Sequence, residues 1–191
     1  MIGDELAQID VAMLFLNAGY LQAGAFKDIS NEAVESMVAV NCVQVSHTFK
    51  VMLPHLLKRE KRSAVVSVAS IASLRPVPGL LTYSATKTFA HFMGKGANFE
   101  LKDKVDVLSW QPGEIETKML DSFVDHRAGK FGTISCETAV KHMFRQIGRE
   151  SHTSAHWQHS LVNLMITSLP DSSAINKASF KKMTEKVNRS K

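Results

Sequence analysis

Val11-Ala12-Met13-Leu14-Phe15-Leu16-Asn17-Ala18-Gly19 sets six apolar residues in a row and ends them at a polar, flexible corner. A strand with one wet face alternates apolar and polar residues. A run without that alternation suits a strand covered on both faces, as in a parallel sheet. Two similar runs follow: residues 64–69 (AVVSVA), leading into Ser70, and residues 105–110 (VDVLSW), ending at Gln111-Pro112-Gly113. Between the first two, residues 32–57 carry Val34, Met37, Val38, Val45, Phe49, Met52 and Leu53 close to helical period. Ser30 or Asn31 would cap that helix, and Pro54 would kink or shorten its last turns. A second helix is expected over 83–101, after the breaker segment Arg75-Pro76-Val77-Pro78-Gly79, and a third over 136–147, capped by Ser135. Strand and helix in this alternation predict right-handed crossovers and a doubly wound parallel α/β sheet. Chemistry in such sheets lies beyond the carboxyl ends of the strands. The ends to inspect are Asn17–Gly19, Ser70 and Pro112-Gly113.

The chain has 191 residues, 45% of them hydrophobic, which suffices for one domain with a real core and excludes a disordered chain. A net charge of +5 with scattered basic residues describes a solvated surface. A polyanion or nucleic-acid partner would rest on the pI of about 9.3 alone, so none is expected. Cys42 and Cys136 form no CxxC pair, which points to a reducing compartment. The polar start is not a secretory signal, and no apolar run reaches the ~20 residues needed to span a bilayer. Only about ten residues precede the run at 11–16, although it reads as a central strand. At an edge it would expose unpaired backbone. A neighbouring N-terminal part, missing here or supplied by a partner, is therefore expected.

Tyr83 and Lys87 lie four apart, so they project from one helix face. A phenol with a pKa of ~10 is a poor proton donor at neutral pH. A neighbouring ammonium stabilises its phenolate and should lower that pKa. Alone, this pair equally describes a half-exposed tyrosine beside a solvated lysine. Ser70, thirteen residues earlier, would face the same sheet edge, where its hydroxyl could bond a substrate carbonyl. It could also be a plain turn serine. Asn41 is an unfavourable mid-helix residue that needs a reason. It would be either an exposed polar group or the anchor of a water in a proton relay.

With these pieces in order, the chain resembles the short-chain dehydrogenases/reductases. The likeness rests on Asn17-Ala18-Gly19, Val40-Asn41, Ser70, Tyr83-Ser84-Ala85-Thr86-Lys87 and the segment Pro112–Thr117. Five motifs at matching spacing are far more specific than any one. Within the family, residues 53–57, 83–89 and 154–164 are most similar to very-long-chain 3-oxoacyl-CoA reductases and 17-beta-hydroxysteroid dehydrogenases. The resemblance implies a Rossmann-like fold, with residues 1–119 as sheet core and catalytic part. Residues 120–191 would form a substrate lid, a helix and a tail. It implies Tyr83 as acid/base, Lys87 as its partner and holder of the nicotinamide ribose, Ser70 as carbonyl-orienting group and Asn41 as relay. Asn17, Ala18 and Gly19 would lie beside the adenosine half of an NADP or NAD cofactor, NADP being favoured. Pro112, Gly113, Ile115 and Thr117 would close over the nicotinamide and its phosphates. It further implies an acyl-CoA or other hydrophobic substrate, and a homodimer through the helices at 32–57 and 83–101. Family members at the endoplasmic reticulum suggest membrane contact.

The departure from the family pattern is the glycine-rich phosphate turn. The ten glycines never form GxGxxG, and Gly94-Lys95-Gly96 sits inside a helical stretch. Leu16 stands where a second asparagine is usual. The expectation is therefore a carbonyl reductase shortened at its amino end, with an inactive binding or assembly module as the other reading. His152, His156 and His159 could share a helix face, but Glu150 is the one acid near them and no cysteine is. A surface or lid role, without a metal, is the simpler expectation. Residues 58–62 (KREKR) would sit at a helix carboxyl end, where cations are favoured. Residues 177–191 read as a frayed terminal helix, and 121–133 as a cover over the substrate.

Overall fold

A computed structural model describes residues 9–121, 131–168 and 173–189. Its main sheet has four parallel strands in the order β1 (Met13–Leu16), β2 (Ser63–Val68), β3 (Val105–Gln111) and β6 (His152–Ser154). Phe15 pairs with Val66 and Val66 with Leu108, so the strands run in register with their carboxyl ends on one edge. Side chains alternate across the sheet with period two. Val65, Val105 and Val107 face one layer; Val66, Leu108 and Trp110 face the other. This is the doubly wound α/β architecture the apolar runs predict.

The first layer holds two helical units. Helix α1 (Asn31–Val38) is capped by Ser30, whose side chain accepts from the Ala33 amide. It passes through a π-helical turn, Ala39–Val43, into α2 (Gln44–Lys58). Pro54 lies inside α2, which nevertheless runs to Lys58, so the expected shortening does not occur. Helix α3 (Leu81–Leu101) lies alongside. Val45, Phe49 and Leu56 of α2 and Met93, Ala97 and Leu101 of α3 pack on Leu16, Val65 and Val105. Fully burying a side chain such as Val45, Phe49 or Leu56 contributes about 1.5–3 kcal/mol. On the opposite face lies α5 (Cys136–Gln146), capped by Ser135 and packed through Ala139 and Met143.

Among the described residues β1 pairs with a strand on one side only, and Phe15 is 42% exposed, its ring edge-on to Phe144 of α5. The basic run at 58–62 does more than decorate a helix end. Arg59 pairs with Asp10, and Arg62 pairs with Asp106 while donating to the carbonyls of Lys102 and Asp103. These contacts tie together the starts of the strands, at the edge opposite the chemistry.

The remaining elements gather at the carboxyl edge. Strands β4 (Glu114–Ile115) and β5 (Thr133–Ile134) pair in parallel as a separate two-stranded ribbon. A one-turn helix, α4 (Lys118–Asp121), follows β4. Helix α6 (Trp157–Ser168) follows β6, and α7 (Ser173–Arg189) closes the described chain. The expected terminal helix is thus present and runs to Arg189. Of the expected cover at 121–133, residues 122–130 lie outside the described residues. Among the described residues no helix is long and apolar enough to cross a membrane.

Candidate active site

Ser70 ends the segment after β2 in extended backbone and caps a short 3-10 turn, Ile71–Ser73, its side chain accepting from the Ala72 amide at 3.1 Å. The Ser70 side chain also neighbours the Tyr83 hydroxyl and favours its ionised form. The turn-cap reading of Ser70 therefore holds, and the same residue lies beside Tyr83. Tyr83 and Lys87 stand on the first turns of α3, and both are buried, at 8% and 5% exposure. The half-exposed tyrosine beside a solvated lysine does not describe this chain. The Lys87 ammonium lies 5.8 Å from the centre of the Tyr83 ring and donates to the Val68 carbonyl at 2.8 Å.

The electrostatics differ from the expectation of a lysine-acidified phenol. Burial pushes the Tyr83 hydroxyl up to about 12, with the Ser70 side chain pulling the other way. Burial likewise brings Lys87 down to about 8. Taking the charged form out of water is the largest cause for each group, and Lys87 is not among the causes that act on Tyr83. In the chain alone, at neutral pH, Tyr83 holds its proton and Lys87 is mainly charged.

Asn41 is 1% exposed and lies in the π turn of the first helical unit. Its side chain accepts from the Tyr20 amide and donates to the Tyr20 carbonyl, both at 2.8 Å, and donates to Thr86 Oγ1 at 2.9 Å. Thr86 in turn donates to the Tyr83 carbonyl. The mid-helix asparagine therefore binds the loop after β1 to the start of α3. The extra residue of the π turn aims it there, a use such turns often have. It is not the exposed polar residue weighed as an alternative.

Asn17, Ala18, Gly19, Ser70, Tyr83, Lys87, Pro112, Gly113, Ile115 and Thr117 line one cavity of about 530 Å³ across the carboxyl edge of the sheet. Asn41 stands just behind it, with Oδ1 3.7 Å from where a Cβ on Gly19 would be. Lys87 Nζ would lie 3.4 Å from that same Cβ, so Gly19 lets the backbone pass close to the ammonium. The rest of the lining is largely apolar: Leu21, Ile71, Leu80, Met119, Leu120 and Met183. Sequence reasoning missed Met183. It reaches the cavity because α7 lies against Gly79, where a Cβ would stand 2.5 Å from Met183 Cβ. The glycine at the end of the breaker segment was the one available signal.

The three histidines do not share a helix face. His152 is on β6 with its ring against His91, His156 precedes α6 with its ring against His142, and His159 is 1% exposed within α6. His159 is thus not a surface residue, since it is packed inside. Its neighbours are Gly113, whose amide donates to Nδ1 at 3.1 Å, and the Gly132 carbonyl, 2.9 Å from Nε2.

Lysine has three N–H donors, and the buried Lys87 ammonium uses one on Val68. Beside it are a glycine that admits close approach and a hydroxyl pair, Ser70 and Tyr83. Such a set fits the hydroxyl-rich, ribose-bearing half of a dinucleotide.

Three comparisons bear on this geometry. A protein-family model described as short chain dehydrogenase matches residues 2–128. The human very-long-chain 3-oxoacyl-CoA reductase is 30% identical over 170 residues, which are 86% of this chain and 53% of that protein. Chicken hydroxysteroid dehydrogenase-like protein 1 is 25% identical over 173 residues, 89% of this chain and 52% of that protein. The chain thus spans about half the length of these curated relatives. A crystal structure of a short chain dehydrogenase from Burkholderia cenocepacia, in complex with NADP, superposes with a TM-score of 0.72 at 21% identity. That match covers 87% of this chain and 69% of the other.

Proposed function

The chain belongs to the short-chain dehydrogenase/reductase family, and from that premise we propose that it carries the reducing site of a nicotinamide-dependent oxidoreductase acting on a hydrophobic carbonyl. The observation that carries the proposal is Tyr83, beside Ser70 and next to a buried Lys87, inside one cavity at the sheet's carboxyl edge. When bound, a reduced nicotinamide supplies the hydride. Ser70 and Tyr83 present two hydroxyls to the substrate carbonyl and fix its direction. Tyr83, protonated at neutral pH, gives its proton to the oxygen as negative charge develops there. Lys87 then stabilises the phenolate left behind and holds ribose hydroxyls through its remaining N–H groups. Asn41 keeps α3 and the loop after β1 in register so that these groups meet.

Asn17, Ala18 and Gly19 hold the adenosine side, and Pro112, Gly113, Ile115 and Thr117 the nicotinamide side, with NADP favoured over NAD by resemblance. The apolar lining and the names of the similar proteins support a 3-oxoacyl thioester as first substrate and a steroid ketone as second. Exposed Val43 and Val51 on the first helical unit, with Phe89, Phe92 and Phe99 on α3, support a homodimer through those helices.

The test is single-turnover reduction of a 3-oxoacyl-CoA, followed by loss of reduced-cofactor absorbance. Tyr83→Phe and Lys87→Ala should each slow it by about 10²–10⁴-fold. A wild-type chain that binds neither NADPH nor NADH, or a rate indifferent to both changes, overturns the proposal in favour of a non-catalytic binding module.

A further inference from the structure

The residues just before the two ribbon strands are both glycines, Gly113 before β4 and Gly132 before β5. The His159 ring fills the space between them. A carbonyl oxygen can only accept, so the contact with Gly132 puts the ring proton on Nε2. An amide N–H can only donate, so the contact with Gly113 leaves Nδ1 bare. Both bonds together require one neutral tautomer. The ring also rests on Gly113 itself, where a Cβ would stand 2.7 Å from Cδ2. Gly113 is not among the glycines with positive φ, so it is needed to seat the ring and not to make a turn.

A parallel ribbon of two residue pairs is too short to hold itself in place. Yet it carries Gly113, Glu114 and Ile115 into the wall that faces Tyr83 and Lys87. We infer that His159 is a positioning residue, a neutral imidazole clamp that joins the starts of both ribbon strands and so fixes the Pro112-Gly113 side of the cavity. The clamp is independent of function; its effect on cofactor binding rests on the reductase reading above.

Protonation would set a second N–H against the Gly113 amide and open the clamp. Burial opposes it, as does His156 ahead of α6; the backbone of Gly132 and Glu114 and the Glu114 carboxylate favour it. That carboxylate is itself engaged, accepting from Thr133 Oγ1 at 3.1 Å.

The experiment combines imidazole ¹⁵N NMR, Gly113 amide exchange and fluorescence titration with NADPH, on wild type, His159→Gln and His159→Leu. The wild type should show the Nε2–H tautomer at neutral pH and a protected Gly113 amide. His159→Leu should raise Gly113 exchange and the NADPH dissociation constant by about ten-fold each. His159→Gln keeps one acceptor and one donor and should restore most of both. On acidification the wild type should lose Gly113 protection while His159→Gln does not. An Nδ1–H tautomer, or a His159→Leu chain with unchanged exchange and unchanged NADPH binding, overturns the clamp. If His159→Leu fails to fold, the tautomer and the acid response of His159→Gln against wild type decide. If NADPH binds no form of the protein, the reductase reading fails and the exchange and tautomer results still judge the clamp.

Discussion

The cavity wall that bears Ser70, Tyr83 and Lys87 stands on β2 and the 21-residue helix α3, whereas the facing wall stands on a ribbon of two-residue strands and one methionine of α7. The first wall is held by fully buried side chains and by the Asn41 network that stitches the loop after β1 to α3. The second is held by Ile134 and Ile115 against the core, by the Ile71 amide donating to the Pro112 carbonyl, by a histidine between two glycines, and by Met183 against Gly79. The contrast teaches that groups needing fixed geometry sit on long, deeply packed elements. Groups that shape ligand fit sit where one substitution can move them.

The sharpest way to break that contrast is at the stiff wall. Asn41→Leu removes three hydrogen bonds, two of them to the Tyr20 backbone, and buries an apolar side chain against those polar groups. It should cost about 3 kcal/mol in denaturant unfolding. A loss no greater than that of an exposed substitution would mean the two walls are equally soft.

The next effect separates the walls by pH. In the proposed mechanism Lys87 is charged and Tyr83 protonated when the carbonyl is reduced. With Lys87 at about 8, the apparent second-order rate should fall about ten-fold per unit once pH exceeds that value. Lys87→Arg should remove the fall, since a guanidinium stays charged. A wild-type profile flat to about pH 10 would place the lysine outside the proton path.

At the soft wall, Gly79→Ala puts a Cβ on Met183 at a φ of +86° and displaces α7. The KM of the longest acyl substrate should change a few-fold while kcat stays within about two-fold. A matched fall in kcat for short and long substrates would show that α7 belongs to the catalytic frame.

The smallest effect lies in the scaffold beneath the stiff wall. His91 bonds Ser109 Oγ through Nδ1 at 2.8 Å, and burial, Lys95 and His152 bring its pKa to about 4. The unfolded chain takes up a proton near pH 6.5 and the folded chain does not. Folding stability should therefore fall as pH drops from about 6.5 to about 4. A Phe at position 91 should flatten that slope in acid unfolding curves.

Much of the stiff wall was legible because long elements announce themselves. The apolar runs marked β1, β2 and β3 to within two residues, the period marked the helices, and the spacing from Ser70 to Lys87 placed three side chains in one cavity. Of the soft wall, Pro112, Gly113, Ile115 and Thr117 were legible as lining, but not the contacts that support them. Strand β6 is His152-Thr153-Ser154, with no apolar run to betray it, and it exists because it pairs with the end of β3. His159 looked like a surface or lid residue because its partners, Gly113 and Gly132, lie far away in sequence and offer backbone groups that no motif records. The phenol's acidity was misjudged for a related reason. Spacing shows that Lys87 is near Tyr83 but not that both are dry, and dehydration decides the sign.

The most direct test follows a labelled hydride through the stiff wall. The chain is mixed with a 3-oxoacyl-CoA and NADPH deuterated at the transferable position, and the product is read by mass spectrometry. Deuterium should appear on the former carbonyl carbon with the wild type and be lost with Tyr83→Phe, whose fold is unchanged by circular dichroism. Absence of labelled alcohol from the wild type, or equal labelling by both proteins, would contradict the account.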